Sequence, residues 1–259
     1  MTKRKLALVF LVVLTTLMLA PLAYYLFLRS DSDALWRILS QECLATEPAQ
    51  QTNASCVKVD RQQSYVLFKD RRGPHHDLLM PTYPVAGLES EELGREDVPR
   101  FMEMAWAERS RLSQEAGIRI PDDYLSFAIN SQWGRTQHHL HIHIACLHPS
   151  AYETITQLAP GISFDWAPLA EQIEGSHYIA RRISRDAFAN VNPIALLNEY
   201  LRAEAIPLGN YGLAIMQLQD GDFVLLATGM NLLAFDLGSA GELQDFECAL
   251  ARSEVIDRD

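Results

Sequence analysis

The chain has 259 residues, 48% hydrophobic and 21% charged, a balance that excludes a disordered or fibrous protein. Its formal net charge is −11, from 33 acidic and 22 basic residues. A body this acidic is repelled by phosphate backbones, so no nucleic-acid partner is expected.

The opening stretch MTKRKLALVFLVVLTTLMLAPLAYYLFLRS carries Lys3, Arg4 and Lys5, then no charge from Leu6 to Leu28, then Arg29. As a helix, that uncharged run would measure about 35 Å at ~1.5 Å per residue, enough for a bilayer core of about 30 Å. A cleaved export signal has a shorter apolar region and a small-x-small site. Here Ala20 and Ala23 are badly spaced, with Pro21 between them. Residues 1–30 are therefore expected to be one uncleaved N-terminal transmembrane helix, with cleavage as the alternative. Three basic residues before the run and one after it keep the N-terminus inside, so residues 31–259 are expected outside the cytoplasm. The four basic residues belong to that segment, and the remainder carries −15 against −11 for the whole.

Cys43, Cys56, Cys146 and Cys248 form no CxxC metal knuckle, and an exported domain would oxidise them. Of three connectivities, Cys43–Cys56 across a polar loop with Cys146–Cys248 between distant segments is favoured. Four free thiols is the alternative.

SDALWRILSQECL reads as a short helix with Ser32 as its cap. SYVLFKD and HDLLMPT read as strands joined by a turn. A helix is expected from about Val98 to Ala116, ended by Gly117. YLSFAIN and HHLHIHIACL follow as strands. Residues 160–175 read as a linking loop. HYIARRI is a strand, and residues 192–205 a helix capped by Asn192 with Pro193 in its first turn. YGLAIMQL and DFVLLAT form a hairpin about QDG. The expected class is α+β: an antiparallel sheet with helices. Residues 31–150 form one half. Residues 160–250 form a second half that either completes the sheet or mirrors the first as a degenerate duplicate.

Residues 137–148, QHHLHIHIACLH, hold five of the eight histidines. Strand side chains alternate faces, so His139, His141 and His143 share one face and Leu140, Ile142, Ile144 and Cys146 the other. Burying three imidazoles in a row is costly unless something engages them. Two chemistries suit such a face: nucleophilic or acid–base imidazole, and metal ligation with help from His75, His76, His148 or His177. His75 and His76 read as surface residues of a turn.

HLHIHIAC resembles the His-φ-His-φ-His-φ-φ signature of the histidine-triad superfamily of nucleotide hydrolases and transferases. YVLFKDRRGPHHDLLMPT and NSQWGRTQ resemble that superfamily's strand–turn–strand and its loop into the triad. Together with the apolar N-terminus, LLMPTY, AINSQWGRTQHHLHIHIACLHP, YGLAIMQL, FVLLAT and the four cysteines, the pattern is most similar to membrane-anchored CDP-diacylglycerol pyrophosphatases of bacterial envelopes. Gln137 stands closer to the first triad histidine than is usual, and Pro84 replaces a fourth histidine of many members. The resemblance implies hydrolysis of CDP-diacylglycerol to CMP and phosphatidate without a cofactor, by a protein of the bacterial inner membrane facing the periplasm. It implies His141 as nucleophile, forming a cytidylyl-histidine intermediate. His143 would meet the phosphoryl oxygens or the leaving oxygen, and His139 would orient the row. Gln137 would donate to the phosphoryl group, and Asn130 would secure the loop. Asp70 would bind ribose hydroxyls, and Arg135 the second phosphate. Trp133, Tyr83 and Trp166 are candidates for an apolar rim facing lipid. Triad relatives often dimerise, so a homodimer is an option. The rival activities are a metal-dependent phosphohydrolase using the histidine row as ligands and a CMP transferase.

Overall fold

The computed structural model describes residues 4–5, 10–17, 19–20, 31–45, 54–95 and 98–256. Most of the expected membrane helix lies outside these residues. Residues 10–17 are helical, and among the described residues no helix is long and apolar enough to cross a membrane.

The body is α+β, built on one antiparallel sheet. Its strands are β1 (Cys56–Asp60), β2 (Tyr65–Lys69), β3 (His76–Pro81), β4 (Leu125–Ile129), β5 (Ile142–Leu147), β6 (Ala167–Pro168), β7 (Tyr178–Ile183), β8 (Tyr211–Gln217), β9 (Phe223–Gly229) and β10 (Gln244–Asp245). Their order is β1-β2-β3-β5-β4-β8-β9-β7-β6, with β10 paired to β5.

The second half both completes the sheet and mirrors the first. The halves meet where β4 pairs with β8, Ala128 facing Ala214. Outward from that seam the order β4-β5-β3-β2 is matched by β8-β9-β7-β6. Following the register, His143 pairs with Ala128 as Leu226 pairs with Ala214. A rotation about the seam therefore carries His143 onto Leu226 and His141 onto Val224. The second half repeats the strand order with Leu226 and Val224 at the positions that match the two histidines.

The faces differ in what covers them. Helices Phe101–Ala107, Ser110–Ala116 and Pro193–Ala203 pack on one face over Leu79, Phe127, Ile142, Ile144, Leu213 and Leu225. On the other face, helix Pro149–Leu158 covers a cluster around Ala128, Ala214 and Leu226. There Leu39 and Cys43 pack on Val66, Phe68, Leu78 and Met80. His143 points to this second face, between Leu78 and Ala128 of its neighbouring strands. The triad thus lies between two apolar clusters.

Several expected elements change in detail. The helix expected over 98–116 is two helices, because near Glu108 the backbone tightens. The Glu108 N–H is shared by the Met104 and Ala105 carbonyls at 3.2 Å, and the Arg109 N–H reaches Trp106. Gly117 caps the second helix at φ +67°. Asn192 Oδ1 accepts from the Ile194 and Ala195 N–H groups at 3.0 and 3.3 Å, as its capping role requires. Ser32 does not cap the first helix, Ala34–Ile38. Asp33 precedes it, and the Ser32 carbonyl accepts from the His138 N–H instead. Both expected disulfides are present, Cys43–Cys56 and Cys146–Cys248, with Cα separations of 5.5 and 5.2 Å.

Candidate active site

The triad is held by backbone before any side chain acts. The Leu140 N–H donates to the Val85 carbonyl at 2.6 Å, which fixes the bent approach to β5; His139 and His141 lie on this approach and His143 within the strand. Leu140 and Ile142 then anchor one side in the helix-covered core while the histidines face the other. His139 is buried with its ring against Trp36, 5.0 Å between centroids. Its Nε2–H donates to the Pro81 carbonyl at 3.0 Å.

His141 Nδ1–H donates to the His139 carbonyl at 2.7 Å. A carbonyl oxygen can only accept, so Nδ1 must carry the proton and Nε2 holds the lone pair. Burial pushes the His141 pKa down to about 4 and outweighs the carbonyl contact, which acts in the opposite direction. The ring is therefore neutral at physiological pH, and 7% of the residue's surface remains exposed. Neutral charge and a fixed tautomer are what a nitrogen nucleophile needs.

His143 sits edge-on to His141, with centroids 4.8 Å apart. Burial also holds its pKa well below the ordinary histidine value, and the neighbouring imidazoles act in the same direction. Its tautomer is set by a chain of donors. His76 Nδ1–H donates to the Arg72 carbonyl at 3.2 Å, so His76 Nε2 must accept. His143 Nδ1–H donates to that Nε2 at 2.8 Å. His143 Nε2 is then an acceptor, and Asn130 Nδ2 approaches it at 3.4 Å. The Asn130 amide is oriented by the Gly241 N–H, which donates to Oδ1 at 2.9 Å. Every member of this row has a consistent donor and acceptor sense.

His76 corrects the sequence reading. It is a fully buried residue at the start of β3, not a surface turn residue, because β3 alternation turns it to the face that carries His143. Its ring stacks on Phe246 at 3.9 Å and on His143 at 5.0 Å. His75 is buried too, and Arg252 Nη2–H approaches its Nε2 at 3.4 Å. Asp70 Oδ1 lies 3.8 Å from His76 Nδ1 and accepts from the Arg72 N–H at 2.7 Å. Asp70 thus stands behind the imidazole row.

The C-terminal segment clamps this arrangement. β10 pairs with β5, Gln244 facing Leu147 and Asp245 facing Cys146. Gln244 Nε2–H donates to the Ser126 and His143 carbonyls at 2.9 and 3.2 Å. The Cys146–Cys248 disulfide ties the same segment to β5 from the opposite face. Phe246, Gly241 and Gln244 carry no sequence signal for this role; only the fold brings them to the histidines.

Gln137 spans between parts of the N-terminal segment. Its Nε2–H donates to the Asp31 carbonyl at 2.9 Å, and its Oε1 accepts from the Leu35 N–H at 3.0 Å. Arg135 is buried, and its guanidinium forms a two-pronged pair with Glu89, one prong at 2.8 Å. Glu89 therefore neutralises the cation nearest the triad loop. Gly134 lies so close to Ser239 that a Cβ would collide with its hydroxyl. Of the expected rim, only Trp133 is exposed. Tyr83 packs against the helix-side core and Trp166 is buried, donating to the Leu196 carbonyl at 3.2 Å.

His138, His148 and His177 are exposed and apart from the row. Among the described residues, no group of three or more His, Cys, Asp or Glu is placed to hold a metal ion. A cavity of about 690 Å³ lined by Glu103, Trp106, Asp122, Arg185 and the β8–β9 turn contains none of these histidines.

The family model for CDP-diacylglycerol pyrophosphatase matches residues 30–252, most of the chain and all of the imidazole row. The chain belongs to the CDP-diacylglycerol pyrophosphatase family, hydrolases of class EC 3.6.1.26 that act on CDP-diacylglycerol.

Proposed function

We propose that the protein cleaves CDP-diacylglycerol through a covalent intermediate on His141. The observation that carries this reading is the His141 Nδ1–H bond to the His139 carbonyl, which leaves Nε2 as the unprotonated nitrogen of a fixed ring. Nε2 attacks the phosphorus bonded to the cytidine ribose. The bond from that phosphorus to the bridging oxygen breaks, and phosphatidate leaves with the electron pair. A phosphate monoester departs ionised, so the low pKa of His143 does not hinder this step. Water then attacks the cytidylyl-histidine, losing a proton and releasing CMP, and the neutral imidazole is restored.

His143 serves the second step. Its Nε2 lone pair accepts the proton of the water, and its Nδ1–H bond to His76 spreads the resulting charge. A phosphoryl anion beside this ring raises its pKa toward the working range. Asp70, 3.8 Å from His76 Nδ1, favours positive charge on the His76 ring. His139 acts through its carbonyl and its anchorage on Pro81. For Gln137 or Arg135 to donate to phosphate, each must share its amide or guanidinium with Asp31 or Glu89. Residues 1–30 hold the body at the bacterial inner membrane with the site on the periplasmic side, supported by the uncharged run between basic flanks.

The test is mass spectrometry of enzyme mixed with CDP-diacylglycerol and denatured within milliseconds at alkaline pH, where phosphoramidates persist. One CMP adduct on His141 is expected, and His141→Asn should abolish both adduct and turnover. Hydrolysis in ¹⁸O-water should place the label in CMP. Label in phosphatidate, or normal turnover by His141→Asn, refutes the mechanism. Retained turnover after exhaustive chelation separates it from the metal-dependent rival.

A further inference from the structure

The segment after β9, MNLLAFDL (residues 230–237), exposes its apolar side chains to a degree unusual for a folded loop. Leu233 is 96% exposed, Phe235 92% and Leu232 67%. The exposure is built in. Asn231 and Asp236 close the segment with paired backbone bonds of 2.8 and 3.0 Å. Asn231 Oδ1 accepts from the Leu233 N–H at 3.1 Å, and Phe235 takes the left-handed conformation at φ +56°. That conformation is costly for a bulky residue, so the turn is held against its preference with Leu233 and Phe235 outward. The one acid, Asp236, is folded inward, accepting from Gly238 N–H at 2.7 Å and Thr228 Oγ1–H at 3.3 Å. The tip itself, residues 230–235, carries no charge.

Its place in the fold says what it meets. The tip is tied directly to the loop that enters the triad: Ser131 Oγ–H donates to the Leu237 carbonyl, and the Ser131 N–H donates to the Gly238 carbonyl at 3.0 Å. Trp133, 39% exposed, is on the same loop. Six residues further along, Gln137 and His138 hold Asp31 and Ser32, where the body begins after the uncharged N-terminal run. One loop therefore carries the apolar tip at one end, the root of the anchor at the other, and the histidines just beyond.

We propose that residues 230–237 form a tip that inserts into the lipid bilayer and sets the mouth of the triad site at the head-group plane. The inference rests on the reading of the substrate as CDP-diacylglycerol, whose diphosphate lies at that plane while its acyl chains remain in lipid. Attraction is apolar rather than electrostatic, because the tip has no cation and the body is strongly acidic. A protein partner or a second copy are the alternative occupants.

The test uses the full chain in zwitterionic liposomes. With the native cysteines paired in disulfides, Leu233→Cys accepts a single environment-sensitive fluorophore. A control label at Gln219→Cys sits at the opposite end of β9, about 23 Å away for seven strand residues. Lipids bearing doxyl quenchers should quench the label at 233 and spare the one at 219, independent of salt. The double variant L233S/F235S should lose about tenfold or more in kcat/KM on bilayer-embedded CDP-diacylglycerol. It should match the unmodified protein on a water-soluble cytidine diphosphate ester. No lipid quenching at 233, or quenching only by a quencher carried on another copy of the chain, overturns the proposal. If the unmodified protein hydrolyses neither substrate, the enzymatic reading fails, and lipid quenching still decides the tip.

Discussion

Replacing His76 by Phe isolates the buried imidazole row. The variant keeps a flat ring for the stack on Phe246 and removes two polar atoms. His143 Nδ1–H, bonded to His76 Nε2 at 2.8 Å, would lose its acceptor inside a residue only 4% exposed. An orphaned buried donor costs about 1–3 kcal/mol, so a loss of ~2 kcal/mol is expected, close to thirtyfold in the folding equilibrium. For a body of this size that lowers Tm by roughly 4–8 °C. The imidazole can escape by moving its proton to Nε2, where it meets the Asn130 amide donor at 3.4 Å. The proton shift removes the basic nitrogen that faces the site, and the orphaned donor removes the bond to His76 that spreads the charge of protonated His143; in either case kcat should fall about 10- to 100-fold with little change in KM. His76→Gln, which restores an acceptor near the old Nε2, should recover much of both. The assays are denaturant unfolding followed by circular dichroism and steady-state hydrolysis. Unchanged kcat in a folded His76→Phe protein refutes the coupling. If that variant does not fold, a wild-type kcat for His76→Ala in its place does the same.

Stability should depend on mild acid. The folded-state pKa values of His76, His139 and His141 are each lowered to about 4 by burial, while the unfolded chain titrates near 6.5. The unfolded state therefore binds more protons between those values. The stabilisation is complete above pH 6.5 and drains away as pH falls toward 4, on the order of 3 kcal/mol for each uncoupled ring. Urea midpoints measured from pH 8 to 4.5 should be flat and then fall. The acid limb of kcat/KM should lie below pH 6, and a limb at 6.5 would contradict the buried, neutral His141. The two disulfides should differ in worth. Removing Cys146–Cys248, which spans 102 residues, should cost about 4–5 kcal/mol, against about 3 for the 13-residue Cys43–Cys56 span. Paired alanine variants in denaturant check this, and the long bridge should also affect kcat because it holds the segment bearing Phe246.

What the sequence disclosed was periodic or local. Apolar runs bounded by turn residues marked β2 to β5 and β7 to β9, alternation sorted the two faces of the histidine strand, and Asn192 with Pro193 marked a helix start. The triad face followed from the same alternation. His76 escaped because Pro74 and a doubled histidine suggested exposure at a turn; the strand HDLLMPT began at it, but only pairing with β5 puts its ring in the interior beside His143. β1 escaped because its half-exposed residues hold place only by pairing with β2. The roles of Asn130 and Gln137 depend on Gly241 and Asp31, partners about a hundred residues away, which no local pattern encodes. The tip at 230–237 escaped for a different reason: Leu-Leu-Ala-Phe has the composition of a core, and only the fold shows these side chains exposed.

The two rims of the sheet have a consequence for the molecule in a crowded compartment. At one rim β6 is two residues long and ends in Pro168, which offers no N–H to an incoming strand. At the other, β1 is pinned through Cys56, carries the solvent-facing Lys58, and has a register break between Cys56 and Lys58. Neither rim is a template for accretion of further chains. A sheet this wide is thereby kept from growing wider, and an encounter between two molecules is directed to loops and helices.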